Sequence, residues 1–506
     1  MNLSLIHVVG FTLSMVGLLQ AASPDIGNLD NCIQEIREAA AHPPQVLTFD
    51  QYLTNYAQLI SDLQMTTAKL PFVYQQAAAK PLLKFLQNLG ESRYLKIFGS
   101  KPTDGETATL QEIIPDAALA ILSFKNPANQ GVNAFEEIVS DLYDGFLSDE
   151  ERVGKQTGKP IDPPTFGIIP PLVKFGNSDF GPYTWPGDAT KEILGMRCGV
   201  VSLPPEQLKG GLLAWSALGH ETGGHDVTHA DAGLLNELAK SVRAALMEKF
   251  HSQPLADYWA SCIDETAADV CGYLNMGPSL GIGLIGYFRA LGNGHLRTTG
   301  SKNDPHPIDL LRGYLAAAVI KHLNFKEADS WSQTIASETH KDDGDLQLID
   351  QQGNRTAFPV PFQKAIASAE VVAQAIMQTK LASLQGHALE ELQNWGDHDQ
   401  IIVDQLVTIL RMTGQLPDTL KGPGFYAAYV VAAATQAGLQ KGAEISSIFR
   451  EMKRFLATMH RENPTWSKTP TDKAIALLER GVKGMENGEN DKSRFVIPKV
   501  PEPPLF

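Results

Sequence analysis

The stretch SALGHETGGHDVTHAD, residues 216–231, places three histidines and three acidic residues within sixteen positions of a 506-residue chain that has 13 histidines in all. His220 and Glu221 come at the end of a stretch with apolar residues at helical spacing. These apolar residues are Leu208, Leu212, Trp215 and Leu218. The pattern predicts a packed helix that ends in metal-binding side chains, where a rigid support favours a precise site.

The interval between His220 and His225 is five residues. Zinc peptidases usually carry HExxH, because an interval of four residues places two imidazoles on one face of an α-helix. An interval of five separates the two rings by about 140° around an ideal helix. A single π-type turn would return them to one face, and Gly223 and Gly224 would make that turn easier to form.

An overlapping pattern offers a different ligand pair. His225, Asp226 and His229 form HDxxH, which has the correct interval in an undistorted helix. The sequence therefore leaves His229 as an alternative ligand. It also leaves the simpler interpretation that the three histidines lie in a polar turn.

A further ligand is expected on a separate element, and the stretch PLADYWASCIDETAADVCGYLNMGP, residues 254–278, supplies a candidate. Its pattern is typical of one helix that begins at Pro254 and ends at Gly277. Glu265 and Asp269 lie four residues apart on one face of that helix, among apolar neighbours. A carboxylate in such surroundings needs a partner, so we expect Glu265 to bind a metal and Asp269 to orient a ligand histidine.

Three motifs in residues 198–314 resemble known zinc peptidases. LGHETGGH followed by DETAAD resembles the gluzincin class, and the five-residue interval is similar to the HExxxH motif of the dipeptidyl peptidase III family. DPHPIDLLRG carries His306 and Arg312, which resemble the histidine-proline and downstream arginine of CAAX-prenyl-protease-type enzymes. The ExxxD motif of that type is matched by Glu265 and Asp269. The membrane helices of that type are not evident in this chain.

The resemblance implies a role for each matching residue. His220, His225 and Glu265 would bind Zn²⁺, and Glu221 would be the general base. Two imidazoles and one carboxylate leave zinc an open position for water, although manganese or cobalt would also fit the sequence. His306 is a candidate hydrogen-bond donor to the reacting carbonyl, and Arg312 would pair with Asp269.

We expect a predominantly helical α+β fold with a zincin-like catalytic core. The predicted regions are a signal peptide (1–22), an N-terminal helical region (23–165), the core (166–330) and a C-terminal helical region (331–506). The Gly- and Pro-rich residues 158–188 predict an extended linker or surface loop. Residues 198–203, CGVVSL, predict a strand at the edge of a small sheet that could hold an extended peptide.

Composition bounds the partners and the compartment. The net charge of -15 opposes binding to nucleic acids and to anionic membrane surfaces. Residues 1–23 are mostly apolar and end in small residues, a pattern typical of a signal peptide. We therefore expect a secreted or periplasmic protein that makes no membrane contact once the signal is removed. An uncleaved membrane anchor is the alternative. The four cysteines allow up to two disulfides but form no CxxC zinc motif.

These observations predict a zinc-dependent peptidase acting on a peptide or protein substrate. One alternative is a metal-dependent phosphohydrolase of HD type, with a site built from His220, His225, Asp226 and Asp269. Another is a non-catalytic protein with a vestigial metal site. The motif GIGLIG, residues 281–286, matches GxGxxG but follows no strand, so we interpret its glycines as allowing close packing rather than binding a dinucleotide.

Overall fold

The computed structural model describes residues 24–125, 130–147, 152, 160–166, 169–176, 181–412 and 426–463. These residues form a predominantly helical α+β fold with two small sheets, as the sequence predicts. The expected signal peptide, residues 1–22, lies outside the described residues.

The N-terminal region is helical, in agreement with its sequence pattern. Asp104 begins the fifth helix by accepting a hydrogen bond from the backbone N–H of Thr107, a standard N-cap. A π turn, Gln75–Ala79, precedes the fourth helix. The helices are α1 (Leu29–Ala41), α2 (Tyr56–Thr67), α3 (Phe72–Tyr74), α4 (Lys80–Phe98), α5 (Gly105–Leu122) and α6 (Gln130–Leu147).

A three-stranded sheet follows, and it corrects two predictions. Its strands are β1 (Leu172–Phe175), β2 (Tyr183–Trp185) and β3 (Val200–Leu203). The Gly- and Pro-rich stretch 158–188 is not simply a linker, because it supplies β1 and β2, and all four residues of β1, LVKF, are buried. Residues 198–203 do not form an edge, because β3 is the central strand, parallel to β1 and antiparallel to β2.

Both faces of this sheet are covered. Side chains alternate between the faces of a strand, so Val200 packs with helices α2–α5, whereas Val201 and Leu203 pack in the larger hydrophobic core, which includes α1 and α6. The sheet therefore joins α2–α5 to the rest of the described residues.

Two helices predicted as continuous are interrupted. Gly211, with a left-handed φ of 76°, separates a 3₁₀ turn (Pro205–Leu208) from a second one (Leu212–Ala217). Residues 254–277 bend at Cys262, which lies outside helical geometry with φ -98° and ψ 18°. The central helices are α7 (Gly187–Leu194), α8 (Leu218–His220), α9 (Leu234–Phe250), α10 (Gln253–Ser261), α11 (Ile263–Met276) and α12 (Pro278–Leu291).

The motif GIGLIG lies inside α12 and serves packing. A Cβ at Gly283 would lie 2.1 Å from the Ser216 hydroxyl oxygen, and one at Gly286 would lie 2.4 Å from a Leu213 methyl carbon. The glycines therefore let α12 approach the segment before His220, as we expected.

The remaining chain completes the main core around α11. The second sheet has three strands, which lie side by side in their order along the chain. Its first strand precedes the first two C-terminal helices, and its other two strands follow them. No helix in the described part of the chain has the length and hydrophobicity needed to cross a membrane. The elements are β4 (Thr299–Ser301), α13 (Asp309–His322), α14 (Ala328–His340), β5 (Gln347–Ile349), β6 (Arg355–Ala357), α15 (Phe362–Gln378), α16 (Leu389–Leu392), α17 (Asp397–Arg411), α18 (Ala427–Leu439) and α19 (Ile445–Glu462).

Candidate metal centre

A π-helical turn brings His220 and His225 together. His220 ends α8, and the chain then continues as a π turn over Glu221–Asp226. The centroids of the two imidazole rings lie 4.8 Å apart. The predicted π-type distortion is therefore present.

Two glycines allow this turn to pack closely against α11. A Cβ at Gly224 would lie 2.6 Å from the Cα, Cβ and carbonyl oxygen of Ala268. A Cβ at Gly223 would lie 2.8 Å from the side-chain nitrogen of Asn275. The two histidines consequently lie directly against the helix that carries Glu265.

Three predicted ligands converge at this contact. His220 Nε2 lies 3.1 Å from Glu265 Oε2, and His225 Nε2 lies 3.6 Å from Glu265 Oε1. One ligand atom from each of the three residues falls within 4.8 Å of the other two. His220 and Glu265 are 5% and 7% exposed, so the group is nearly enclosed.

The geometry of these three residues fits a zinc ion. Two ligand atoms of a tetrahedral zinc, each about 2.0–2.2 Å from the ion, lie roughly 3.3–3.6 Å apart. Among the described residues, Glu265 Oε2 accepts no hydrogen bond, and His220 Nε2 lies 3.1 Å from it. A cation bound beside this buried oxygen would offset the hydration that it has lost.

Asp269 and Arg312 support His220 from behind. His220 Nδ1 lies 2.8 Å from Asp269 Oδ1, which leaves Nε2 free for a metal. Arg312 donates two hydrogen bonds of 2.8 Å to the two oxygens of Asp269, the pairing expected from the sequence. Burial favours a raised pKa for Asp269, but Arg312 and His220 outweigh it and hold the pKa at about 2.

His225 is supported by a longer series of contacts. Its Nδ1 lies 3.1 Å from Asp264 Oδ1, and Asp264 Oδ2 lies 3.1 Å from His229 Nε2. His229 Nδ1 in turn lies 3.0 Å from Asp188 Oδ2. Burial alone would lower the pKa of His229, but Asp264 and Asp188 raise it to about 10.

These contacts bear on the alternative pairing of His225 with His229. His225, His229 and Asp264 also lie close enough to form a metal-binding group. However, both ring nitrogens of His229 make hydrogen-bond contacts with carboxylate oxygens, whereas His220 makes such a contact only through Nδ1, and an imidazole that donates from both nitrogens has no lone pair for a metal. The geometry favours the set of His220, His225 and Glu265.

Glu221 is held by a residue that the sequence analysis did not identify. The hydroxyl of Thr184 lies 2.9 Å from Glu221 Oε2 and 3.1 Å from the Glu221 carbonyl oxygen. Thr184 is the middle residue of β2 and lies 37 positions before Glu221. Nothing in the local sequence marks it, because the contact depends on how β2 pairs with β3.

The neighbours of Thr184 anchor β2 from its opposite face. The hydroxyl of Tyr183 and the indole N–H of Trp185 each donate a hydrogen bond of 2.7 Å to Asp116 Oδ2. Lys174 lies 2.8 Å from the other oxygen of Asp116. Since side chains alternate along a strand, this anchor leaves Thr184 facing Glu221.

His306 approaches the carboxylate of Glu265 from a side that is more exposed to solvent. Its Nε2 lies 3.3 Å from Glu265 Oε1, and its Nδ1 lies 2.6 Å from Asp304 Oδ1. The His306 side chain is 27% exposed, against 7% for that of His220. His306 therefore lies between the predicted ligands and the solvent.

The electrostatics of the cluster favour a cation. Burial would lower the pKa of His220, but Asp269 and Glu265 raise it to about 9. Burial would raise the pKa of Glu265, but His306 and His225 bring it well below its usual range. The field that stabilises a proton among these groups also stabilises a metal ion.

The inference about this site depends on its own geometry. Comparisons of the chain with protein-family models, with curated proteins and with solved structures found no match.

Proposed function

We propose that the protein is a zinc-dependent peptidase in which His220, His225 and Glu265 bind the ion. The observation that carries the proposal is the convergence of two imidazole Nε2 atoms on the two oxygens of one buried carboxylate. Glu221 follows the first ligand directly in sequence, as in the zinc peptidases that its motif resembles. Two histidines and one carboxylate are a typical catalytic donor set for zinc.

The residues of the chain can divide the chemistry of hydrolysis among them. Zinc bound here would lower the pKa of a water molecule and polarise the substrate carbonyl. Glu221 would accept a proton from the attacking water and deliver it to the leaving amine. Because Thr184 occupies Glu221 Oε2, the other oxygen would take the proton, and His306 would donate a hydrogen bond to the carbonyl oxygen.

The sheet beside Glu221 supports a peptide as the substrate. Extended peptides bind by adding a strand to a sheet edge. The sequence assigned this role to residues 198–203, but in the described residues β2 is an outer strand of the sheet. Since Thr184 of β2 contacts Glu221, a peptide paired with β2 would lie beside the proposed base.

The phosphohydrolase alternative receives less support from the geometry. It requires Asp269 and Asp226 as ligands, yet Asp269 is paired with Arg312 and contacts the far nitrogen of His220. Asp226 Oδ1 would lie only 2.6 Å from a Cβ placed on Gly199, which puts it against the first sheet. We therefore retain the peptidase as the proposed function.

The first test is the metal content of the purified protein by elemental analysis. We expect near-stoichiometric zinc that is lost in His225→Ala and retained in Glu221→Gln. His229→Ala should retain one ion. Retention in His225→Ala with loss in His229→Ala would instead support the HDxxH pairing, and absence of metal in the parent would favour a non-catalytic protein.

The second test is activity on a library of internally quenched peptides. The parent protein should cleave part of the library and lose activity with a zinc chelator. Glu221→Gln should lose activity while keeping its zinc, and full activity in that variant would contradict the assignment of the base. Hydrolysis of an aryl phosphate by the same protein would instead support the phosphohydrolase alternative.

We also propose that the protein is secreted or periplasmic after removal of residues 1–22. Residues 1–23 support this proposal, because they are mostly apolar and end in small residues. N-terminal sequencing of the native protein tests it, because a start near residue 23 is expected and an intact Met1 would contradict it.

A further inference from the structure

We propose that His229 is a positioning residue that holds the metal ligand His225 in place through Asp264. The proposal rests on the proposed metal centre and extends it beyond the residues that contact the ion. Four side chains form the series His225, Asp264, His229 and Asp188, with successive contacts of 3.1, 3.1 and 3.0 Å.

Asp264 is the residue in this series that needs to be held. It lies in the first turn of α11, and its side chain is 35% exposed, whereas those of His225 and His229 are each 13% exposed. A carboxylate at a partly open helix start gains hydration by turning outward. His229 opposes that movement, because its Nε2 fixes one oxygen of Asp264 and leaves the other facing His225.

His229 is itself anchored from the opposite side. Its Nδ1 faces Asp188 on α7, and Asp188 is 9% exposed and also accepts a hydrogen bond from the backbone N–H of Ala189. The series therefore links α7 to the π turn through α11. No residue of this series other than His225 belongs to the proposed ligand set.

The orientation of Asp264 determines which nitrogen of His225 is available. A carboxylate at Nδ1 fixes the proton there, and Nε2 then presents its lone pair to the metal. Loss of His229 would release Asp264 and leave the tautomer and rotation of His225 less well defined. Changes to such supporting groups typically weaken metal affinity about 10- to 100-fold.

The test measures Zn²⁺ affinity by competition with a chromophoric chelator, using the purified full chain. His229→Ala should bind one equivalent of zinc about 10-fold more weakly, and His229→Gln, which keeps a donor for Asp264, should lose less. His322→Ala is the matched control, because His322 forms a comparable contact of 2.6 Å with Glu370 away from the site. That variant should bind zinc like the parent.

A double-mutant cycle separates positioning from a merely structural role. If His229 acts through Asp264, then adding His229→Ala to Asp264→Ala should weaken zinc binding no further. The absorption spectrum of the Co²⁺ form should change in both single variants and be alike in the double variant and Asp264→Ala. Independent, additive losses would overturn the proposal.

Other outcomes are equally decisive. Unchanged affinity in His229→Ala, with zinc bound by the parent, would overturn the positioning role alone. Complete loss of zinc in His229→Ala would make His229 a ligand and overturn the role as stated. A parent protein that binds no zinc would overturn both the positioning role and the proposed function.

Discussion

Substitution of Gly224 by alanine tests whether close packing of the π turn lets two histidines five residues apart form the proposed metal site. The added Cβ would lie 2.6 Å from three atoms of Ala268, two of which are backbone atoms of α11. Ordinary contacts at a Cβ begin near 3.4 Å, so the π turn and α11 must separate by most of an ångström. Ala268 lies three residues from Glu265, and Gly224 directly precedes His225. The separation would therefore move two proposed ligands apart.

The expected effect follows from the precision that a metal site needs. Ligand distances are maintained to within about 0.2 Å, so a shift of this size should weaken zinc binding by more than about 100-fold. Overpacking should also destabilise the fold by about 1–3 kcal/mol. Gly223→Ala should have a smaller effect, since its added Cβ meets the side chain of Asn275 rather than backbone.

The assay is zinc competition together with thermal unfolding, and Gly105→Ala is the matched control. Gly105 begins α5, and a Cβ there would have no atom within 4 Å. We expect losses in the order Gly224→Ala, Gly223→Ala and Gly105→Ala, with the last near zero. Parent-like zinc affinity and stability in Gly224→Ala would refute the close-packing argument.

Three other changes have defined outcomes. Arg312→Met should lower the free energy of unfolding by about 3–5 kcal/mol, because the buried Asp269 loses its guanidinium and keeps only its contact with His220. Arg93→Ala, at an exposed ion pair, should have little effect in the same denaturant titration. Thr184→Val should lower kcat about 10-fold or more with zinc content and KM unchanged, because Glu221 loses the hydroxyl that holds it. Thr184→Ser keeps that hydroxyl and should have a kcat near that of the parent. An unaffected kcat in Thr184→Val would exclude a role in holding Glu221. Burial raises the pKa of all four free cysteine thiols, so they should be mostly protonated and unreactive to a thiol reagent at pH 8 until the protein is denatured; rapid native labelling would contradict this.

Helical periodicity predicted the fold class, and the strand predicted in residues 198–203 is present as β3, but the strands β1 and β2 were not predicted. The apolar spacing of residues 254–277 correctly indicated helix, yet the bend at Cys262 has no marker such as proline or glycine. Residues 172–175 form a strand inside a Gly- and Pro-rich stretch, where turn residues outnumber the four strand residues. The position of β3 at the centre of its sheet depends on pairing with β1 and β2, which a local pattern does not encode.

Some residues of the candidate site could be predicted from local sequence spacing, and others could not. His220, His225, Glu265 and Asp269 were found because each pair lies within one helical segment, where spacing determines which side chains share a face. Thr184 and Asp188 were missed because they reach the site from segments separated by loops and strands.

Charge balance within the candidate site supports the proposed metal. Asp269 is satisfied by Arg312 and His220, and Asp264 by His225 and His229. Glu265 lies among imidazoles whose Nε2 atoms it faces at 3.1–3.6 Å, and among the described residues its Oε2 accepts no hydrogen bond. Buried carboxylates are retained only where a partner offsets their lost hydration. A cation bound by His220 and His225 would offset the lost hydration of Glu265.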